Sequence, residues 1–115
     1  MNNLNAAFTA LSDPTRRAIL ARLAKGEATV NELVEPFAIS QPAVSQHLKV
    51  LEQAGLIVRR VEGTKRPCSL NEEGMRAVEA WMSQQRATWE SRLDRMEGYV
   101  NQLKQKESRD AKRNT

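Results

Sequence analysis

Apolar positions recur along the chain at helical spacing, in blocks separated by capping and turn residues. LNAAFTAL (4–11) is short and mostly apolar, and predicts one small helix. Ser12-Asp13-Pro14 then places a capping residue before a proline, a helix start signal. The next helix, Thr15 to Lys25, buries Ile19, Leu20 and Leu23 and ends at Gly26. Thr29 to Glu32 (TVNE) fits a capping box, with Thr at the cap and Glu three residues on. The helix it opens is short: Val30, Leu33, Val34 and Phe37 share a face, and Pro36 curtails it. After the turn Phe37-Ala38-Ile39, Ser40 caps a longer helix that tolerates Pro42 in its first turn. Val44, Leu48 and Leu51 line one side of that helix, and Gly55 supplies its left-handed stop.

The pattern then changes period. Leu56 to Val61 (LIVRRV) reads as a strand from its branched residues, Glu62-Gly63-Thr64 as a turn, and Arg66 to Leu70 as a returning strand. Pro67 lacks an N–H and belongs on a sheet edge. Asn71-Glu72-Glu73 opens a last helix, with both acids at its positive end. Apolar residues follow at 75, 78, 82, 89, 93, 96, 100 and 103, a long stripe. From Lys104 the chain turns wholly polar and is expected to fray or be disordered. The expected fold is mainly α with a small β-hairpin. It is one domain over 1–103 with a polar tail over 104–115.

Composition narrows the functions open to such a chain. Its 115 residues suffice for one small domain, and 40% hydrophobic residues suffice for a core. A net charge of +4 fits an anionic partner. One cysteine cannot form an internal disulfide, which fits a reducing, cytoplasmic setting. The N-terminal stretch lacks the basic and apolar regions of a signal peptide. No apolar run approaches the roughly 18 residues that would span a membrane, so no membrane partner is expected. Nor is there a nucleophile–base motif, a glycine-rich phosphate loop or a metal cluster, so an enzyme is not expected and no cofactor is implied.

A short helix, a tight turn and a second helix form a helix-turn-helix, whose second helix reads the major groove of DNA. The helix from Ser40 suits that role. Gln41, Ser45, Gln46 and Lys49 lie on its outer face and crowd its N-terminal half, with no acid before Glu52. Any surface helix shows polar residues outward, but one nearly free of carboxylates favours an anionic neighbour. Arg59, Arg60, Lys65 and Arg66 flank the hairpin tip, with Glu62 against them. Beside a helix-turn-helix such a hairpin is a wing that can reach phosphates. Basic residues also protect an exposed strand edge from aggregation, and the wing alone fits both readings.

LSDPTRRAILARL (11–23), TVNEL (29–33), ISQPAVSQHLKVLEQAGLI (39–57) and the Arg-rich hairpin together resemble the ArsR/SmtB family of winged-helix repressors. The resemblance covers about residues 6–70; residues 71–103 match in kind, as a long C-terminal helix, more than in motif. It implies a homodimer that binds operator DNA, with the first and last helices building the dimer interface. Carried across, the DNA-reading positions are Ser40, Gln41, Ser45, Gln46 and Lys49 on the helix and Arg60, Lys65 and Arg66 on the wing. Thr15 and Arg16 are expected phosphate contacts. Phe8, Leu11, Met82, Trp89, Leu93, Met96, Val100 and Leu103 are the expected dimer surface.

The chain departs from the family at its metal motif. Where E-L-C-V-C would start at Glu32-Leu33, Val34 and Pro36 stand at the cysteine positions. A lone Cys68 and a lone His47 in different elements cannot make a tetrahedral zinc site. No metal is expected. Cys68 reads as a small core residue and His47 as a packing residue on the shoulder of its helix, able to donate to a phosphate or to backbone. Trp81 and Trp89 could line a pocket for a small-molecule effector, though aromatic residues on such a helix more often fill an interface. An alternative is a winged helix used for protein–protein interaction or oligomerisation without operator binding.

Overall fold

The computed structural model describes residues 4–113. Its elements in order are α1 (Leu4–Leu11), α2 (Pro14–Leu23), β1 (Ala28–Thr29), α3 (Val30–Val34), α4 (Gln41–Gln53), β2 (Ile57–Arg59), β3 (Pro67–Leu70) and α5 (Glu72–Arg113). This is the expected winged helix-turn-helix with a long final helix. The chain divides after Glu79 into two units.

In the first unit the helix boundaries follow local chemistry. Asp13 caps α2, its carboxylate accepting the Arg16 N–H at 3.0 Å, and Pro14 takes the first turn. The Thr29–Glu32 box is complete: Thr29 N–H donates to the Glu32 carboxylate at 3.0 Å, and Glu32 N–H donates to Thr29 Oγ1 at 3.3 Å. Ser40 Oγ accepts the Ala43 N–H at 3.3 Å and caps α4. Gly55, at φ +77°, ends α4. Its N–H donates to Glu52 O and that of Leu56 to Leu51 O, both at 3.0 Å, the paired bonds of a glycine C-cap. The C-terminal carbonyls of α1 would otherwise lack donors. Arg16 Nε donates to Ala10 O at 2.7 Å and Arg17 Nη1 to Leu11 O at 2.7 Å, so α2 supplies them.

The core gathers where the short elements surround α4. Val44, Leu48 and Leu51 are fully buried, joined by Ile19, Leu20 and Leu23 from α2, Leu33 from α3, and Leu56, Ile57 and Cys68 from the sheet. Ala7 and Ala10 carry the buried face of α1.

The sheet is larger than the hairpin expected from sequence. It has three antiparallel strands in the order β1-β3-β2. Ala28 pairs with Cys68 and Thr29 with Pro67 on one side of β3, while Ile57, Val58 and Arg59 pair with Leu70, Ser69 and Cys68 on the other. Pro67 is therefore in the central strand, not on an edge. It is tolerated because it is the first residue of β3, where only its carbonyl is used, accepting Arg60 N–H at 2.9 Å. A two-residue strand overlapping a helix cap has no periodicity of its own, which is why β1 is invisible in the sequence.

α5 begins against the end of α4. A Cβ added at Gly74 would run into the Gly55 carbonyl, so this contact requires glycine. The second unit is the remainder of α5, from Ala80 on. No residue from Ala80 to Ala111 is buried. The helix continues through 104–113, over the stretch expected to fray. That stretch contains no Gly or Pro, and Lys, Gln, Glu, Arg and Ala are good helix formers whatever their polarity. Residues 114–115 of the expected tail lie outside the described residues.

Candidate nucleic-acid interface

α4 turns its apolar side inward, which leaves its polar residues no alternative but the outer face. Gln41, Gln46 and Lys49 are exposed and Ser45 is half-buried. The first turn contains no acid. Beside it the wing turns through Gly63, at φ +63°, with Glu62 and Lys65 exchanging backbone hydrogen bonds at 3.0 and 2.9 Å.

Between the start of α3, the outer face of α4 and the wing lies an open cleft of about 850 Å³. Gln41 and Ser45 line it from α4, and Arg60, Lys65 and Arg66 from the wing. These five sequence-expected DNA contacts thus share one concave surface. Ser40, Gln46, Lys49, Thr15 and Arg16 do not line it. Thr29, Val30 and Asn31 do, and they were not among the expected contacts. They enter because β1 pairs with β3, a link between residues some 40 positions apart that leaves no local signal.

The cations of this surface differ in what holds them. Arg66 Nη1 donates to the carbonyls of Gly63 and Lys65 at 3.1 and 2.9 Å, folding over the wing turn. Among the described residues neither Arg66 nor Lys65 forms an ion pair. Arg59 pairs with Glu52 at 3.0 Å. Arg60 is gripped more fully: Nη1 donates to Glu27 Oε2 at 2.6 Å, and Nη2 to Glu27 Oε1 at 3.1 Å and Glu62 Oε2 at 3.2 Å. The hydrogen bond from Arg60 lowers the pKa of Glu27, and the Glu27 carboxylate in turn raises that of Arg60. Glu27 went unnoticed in the sequence because 33 residues separate it from Arg60.

Arg16 also has an internal task. Besides Ala10 O it reaches Thr9 O at 3.2 Å through Nη2, and its Nη1 lies 3.3 Å from His47 Nδ1. Its guanidinium is thus shared between the end of α1 and the side of α4, rather than held out for a phosphate. His47 is half-buried beside it, 3.9 Å from Asp13, a packing position as expected. The N–H of Arg16 holds the Asp13 carboxyl below its ordinary pKa. Ser40 spends its hydroxyl oxygen on the cap of α4. Cys68 is fully buried, and burial pushes its thiol pKa up, away from a reactive thiolate. Among the described residues no group of three His, Cys, Asp or Glu side chains is placed to hold a metal ion. No helix among them is long and apolar enough to cross a membrane.

On α5 the expected interface residues are open to solvent: Trp89 is 62% exposed, Leu93 54% and Met96 64%, with Met82, Val100 and Leu103 also exposed. On α1, Phe8 is at the edge of exposure and Leu11 packs on the core.

Comparison with known proteins gives these features a common setting. Residues 13–58 match the family model described as "Bacterial regulatory protein, arsR family". The HTH-type transcriptional regulator Rv2034 of Mycobacterium tuberculosis is 50% identical over 72 residues, 63% of this chain and 67% of that protein. The transcriptional repressor SdpR of Bacillus subtilis is 40% identical over 79 residues, 69% of this chain and 88% of that protein. Among solved structures, an ArsR family transcriptional regulator, RHA00566, superposes with a TM-score of 0.70 at 46% identity, covering 77% of this chain and 92% of the other.

Proposed function

The chain belongs to the arsR family of bacterial regulatory proteins and is a transcription regulator, not an enzyme; from that premise we propose that it is a cytoplasmic repressor that binds an inverted-repeat operator as a homodimer. α4 enters the major groove with Gln41, Ser45, Gln46 and Lys49 toward the bases and phosphates. The wing lays Lys65 and Arg66 along the backbone. Thr15, at the start of α2, is a further phosphate contact. Two copies join through the apolar stripe of α5, with α1 adding Phe8 and Leu11. A two-fold dimer needs a two-fold site, with half-sites one helical turn or a multiple apart, about 10 base pairs per turn.

The observation that carries this reading is the cleft itself. The acid-free N-terminal half of α4 and the wing cations Lys65 and Arg66, which form no ion pair among the described residues, share one open cleft, with Glu32 and Glu52 as the acids of its lining. For the dimer, the support is a run of large apolar side chains on α5 that remain exposed. A core of this size leaves nothing of its own to cover them.

Selection of bound DNA fragments followed by footprinting tests the proposal, with binding measured across a salt series. The expected result is a protected inverted repeat and a steep negative salt slope, because each neutralised phosphate releases counterions. A single half-site bound by a monomer rejects the dimeric arrangement. Binding without salt dependence, or none, favours a winged helix that serves protein–protein contact instead.

A further inference from the structure

Two of the four wing arginines and lysines are committed to carboxylates before any partner arrives, and one commitment is stronger than a surface ion pair requires. Glu27 meets Arg60 with both oxygens on both terminal nitrogens, at 2.6 and 3.1 Å. That two-pronged fit is the geometry in which a guanidinium takes a phosphate. The pair is not buried: the Arg60 and Glu27 side chains are 45% and 46% exposed. Arg60 also lines the cleft that holds Gln41 and Ser45. A cation at the edge of an anion-binding surface is thus occupied by an anion of the same chain.

We propose that Glu27 is a specificity-determining residue, whose carboxylate takes the place of a backbone phosphate on Arg60 in the free protein and yields it only to a duplex docked in register. This rests on the reading of the α4–wing face as the DNA surface. Glu27 and a phosphate oxygen compete for one guanidinium fork, so Arg60 adds to binding only where phosphate replaces carboxylate with equal geometry. On an operator, α4 fixes the duplex and holds one phosphate at the wing. On random DNA the duplex is held loosely, no phosphate stays in place, and Glu27 keeps Arg60. The carboxylate therefore weakens non-specific binding more than operator binding, and widens the gap between them.

Glu62 provides the control. It meets Arg60 through one bond at 3.2 Å, so Glu62→Gln removes the same charge from the same surface and leaves the two-pronged grip intact. The experiment titrates the full chain with a selected operator fragment and a random-sequence duplex, by fluorescence anisotropy over a salt series. Glu27→Gln should tighten binding to the random duplex about two- to fivefold, the scale of an exposed ion pair. It should steepen that salt slope by roughly 0.9, one more phosphate neutralised. Operator affinity and its slope should change less, so the ratio between the two falls. Glu62→Gln should have a smaller effect on the random duplex and leave the ratio nearly intact. Arg60→Gln combined with Glu27→Gln, which keeps the net charge, should flatten the operator slope by roughly 0.9 and leave random DNA almost unaffected relative to the parent chain.

Equal effects of Glu27→Gln and Glu62→Gln would overturn the proposal, since net charge would then explain both. A chain carrying both Arg60→Gln and Glu27→Gln that loses affinity equally on both duplexes would also overturn it. A parent chain that binds neither duplex with a salt slope removes the DNA reading itself, a failure separate from either of these.

Discussion

Leu51 on α4 and Leu93 on α5 are the same side chain on helices of the same protein. Leu51 is fully buried, whereas Leu93 is 54% exposed. The difference extends beyond this pair: among the described residues every buried hydrophobic residue lies at or before Cys68, and the helix from Ala80 to Ala111 has none. The first unit packs most of its apolar residues into its own core, with Phe8, Val58 and Val61 left exposed. The second keeps the same kinds of residue at helical spacing and gives them no cover within one chain. An amphipathic pattern therefore reports that a face will be covered, not by which molecule.

The widest break in this contrast is expected from a charge placed in the stripe. Leu93→Asp should turn the proposed dimer into monomers that keep most of their helix. Operator affinity should fall by about 10²–10⁴-fold, because two tethered half-site contacts become independent. Analytical ultracentrifugation alongside circular dichroism and DNA titration checks it. A variant that stays dimeric at full affinity would place the interface elsewhere.

Leu51→Ala should do the reverse: a loss of about 2–5 kcal/mol in folding stability, from lost burial and the cavity left behind. Thermal or urea unfolding reads it, and chains that still fold should still associate. Gly74→Ala belongs with it, since the new methyl has only the Gly55 carbonyl to displace.

Smaller again is Gln46→Ala. If Gln46 makes a two-pronged base contact, operator binding weakens by about 1–3 kcal/mol while random DNA is bound as before. Equal loss on both would move Gln46 to the phosphate contacts.

The acid limb of stability sharpens the contrast further. Asp13, Glu27 and Glu32 all have pKa values below the ordinary 3.8 and 4.5, held down by the Arg16 N–H, by Arg60 and by the Thr29 N–H respectively. A folded carboxyl with a lowered pKa binds fewer protons than the unfolded one. Its contribution is therefore present above the ordinary carboxylate range and is lost as pH falls through the lowered value. All three groups lie in the first unit. Midpoints of unfolding should drop on acidification below about pH 4.5, and less so in Glu32→Gln.

Least of all is expected from Cys68→Ser, which should leave operator affinity unchanged in DNA titration.

What the sequence makes legible is what short stretches decide. Asp13-Pro14, Thr29 with Glu32, Ser40 and Gly55 act within a few residues, and each stands where its chemistry puts it. The extent of α4, its inner face and the family follow from them. Arg16 and Arg60 show the limit. Both are expected to contact DNA, and their partners within the chain are not legible in the sequence: Arg16 closes the end of α1 and Arg60 is held by Glu27. A charge in a sequence has a sign but no neighbour until the chain has folded. Pro67 teaches the same for the sheet: its position depends on β1, which only its pairing with β3 creates.

That pairing also sets an order of events for a chain made from its N-terminus. Ala28 and Thr29 leave the ribosome early, but their strand partners Pro67 and Cys68 are added about 40 residues later. Until then β1 has nothing to bond, and the place Cys68 fills in the core stands empty. Contacts so distant along the chain form slowly, after the local helices. A nascent chain stopped short of residue 68 thus lacks the strand that completes the core around α4, and only the wing's return strand closes it.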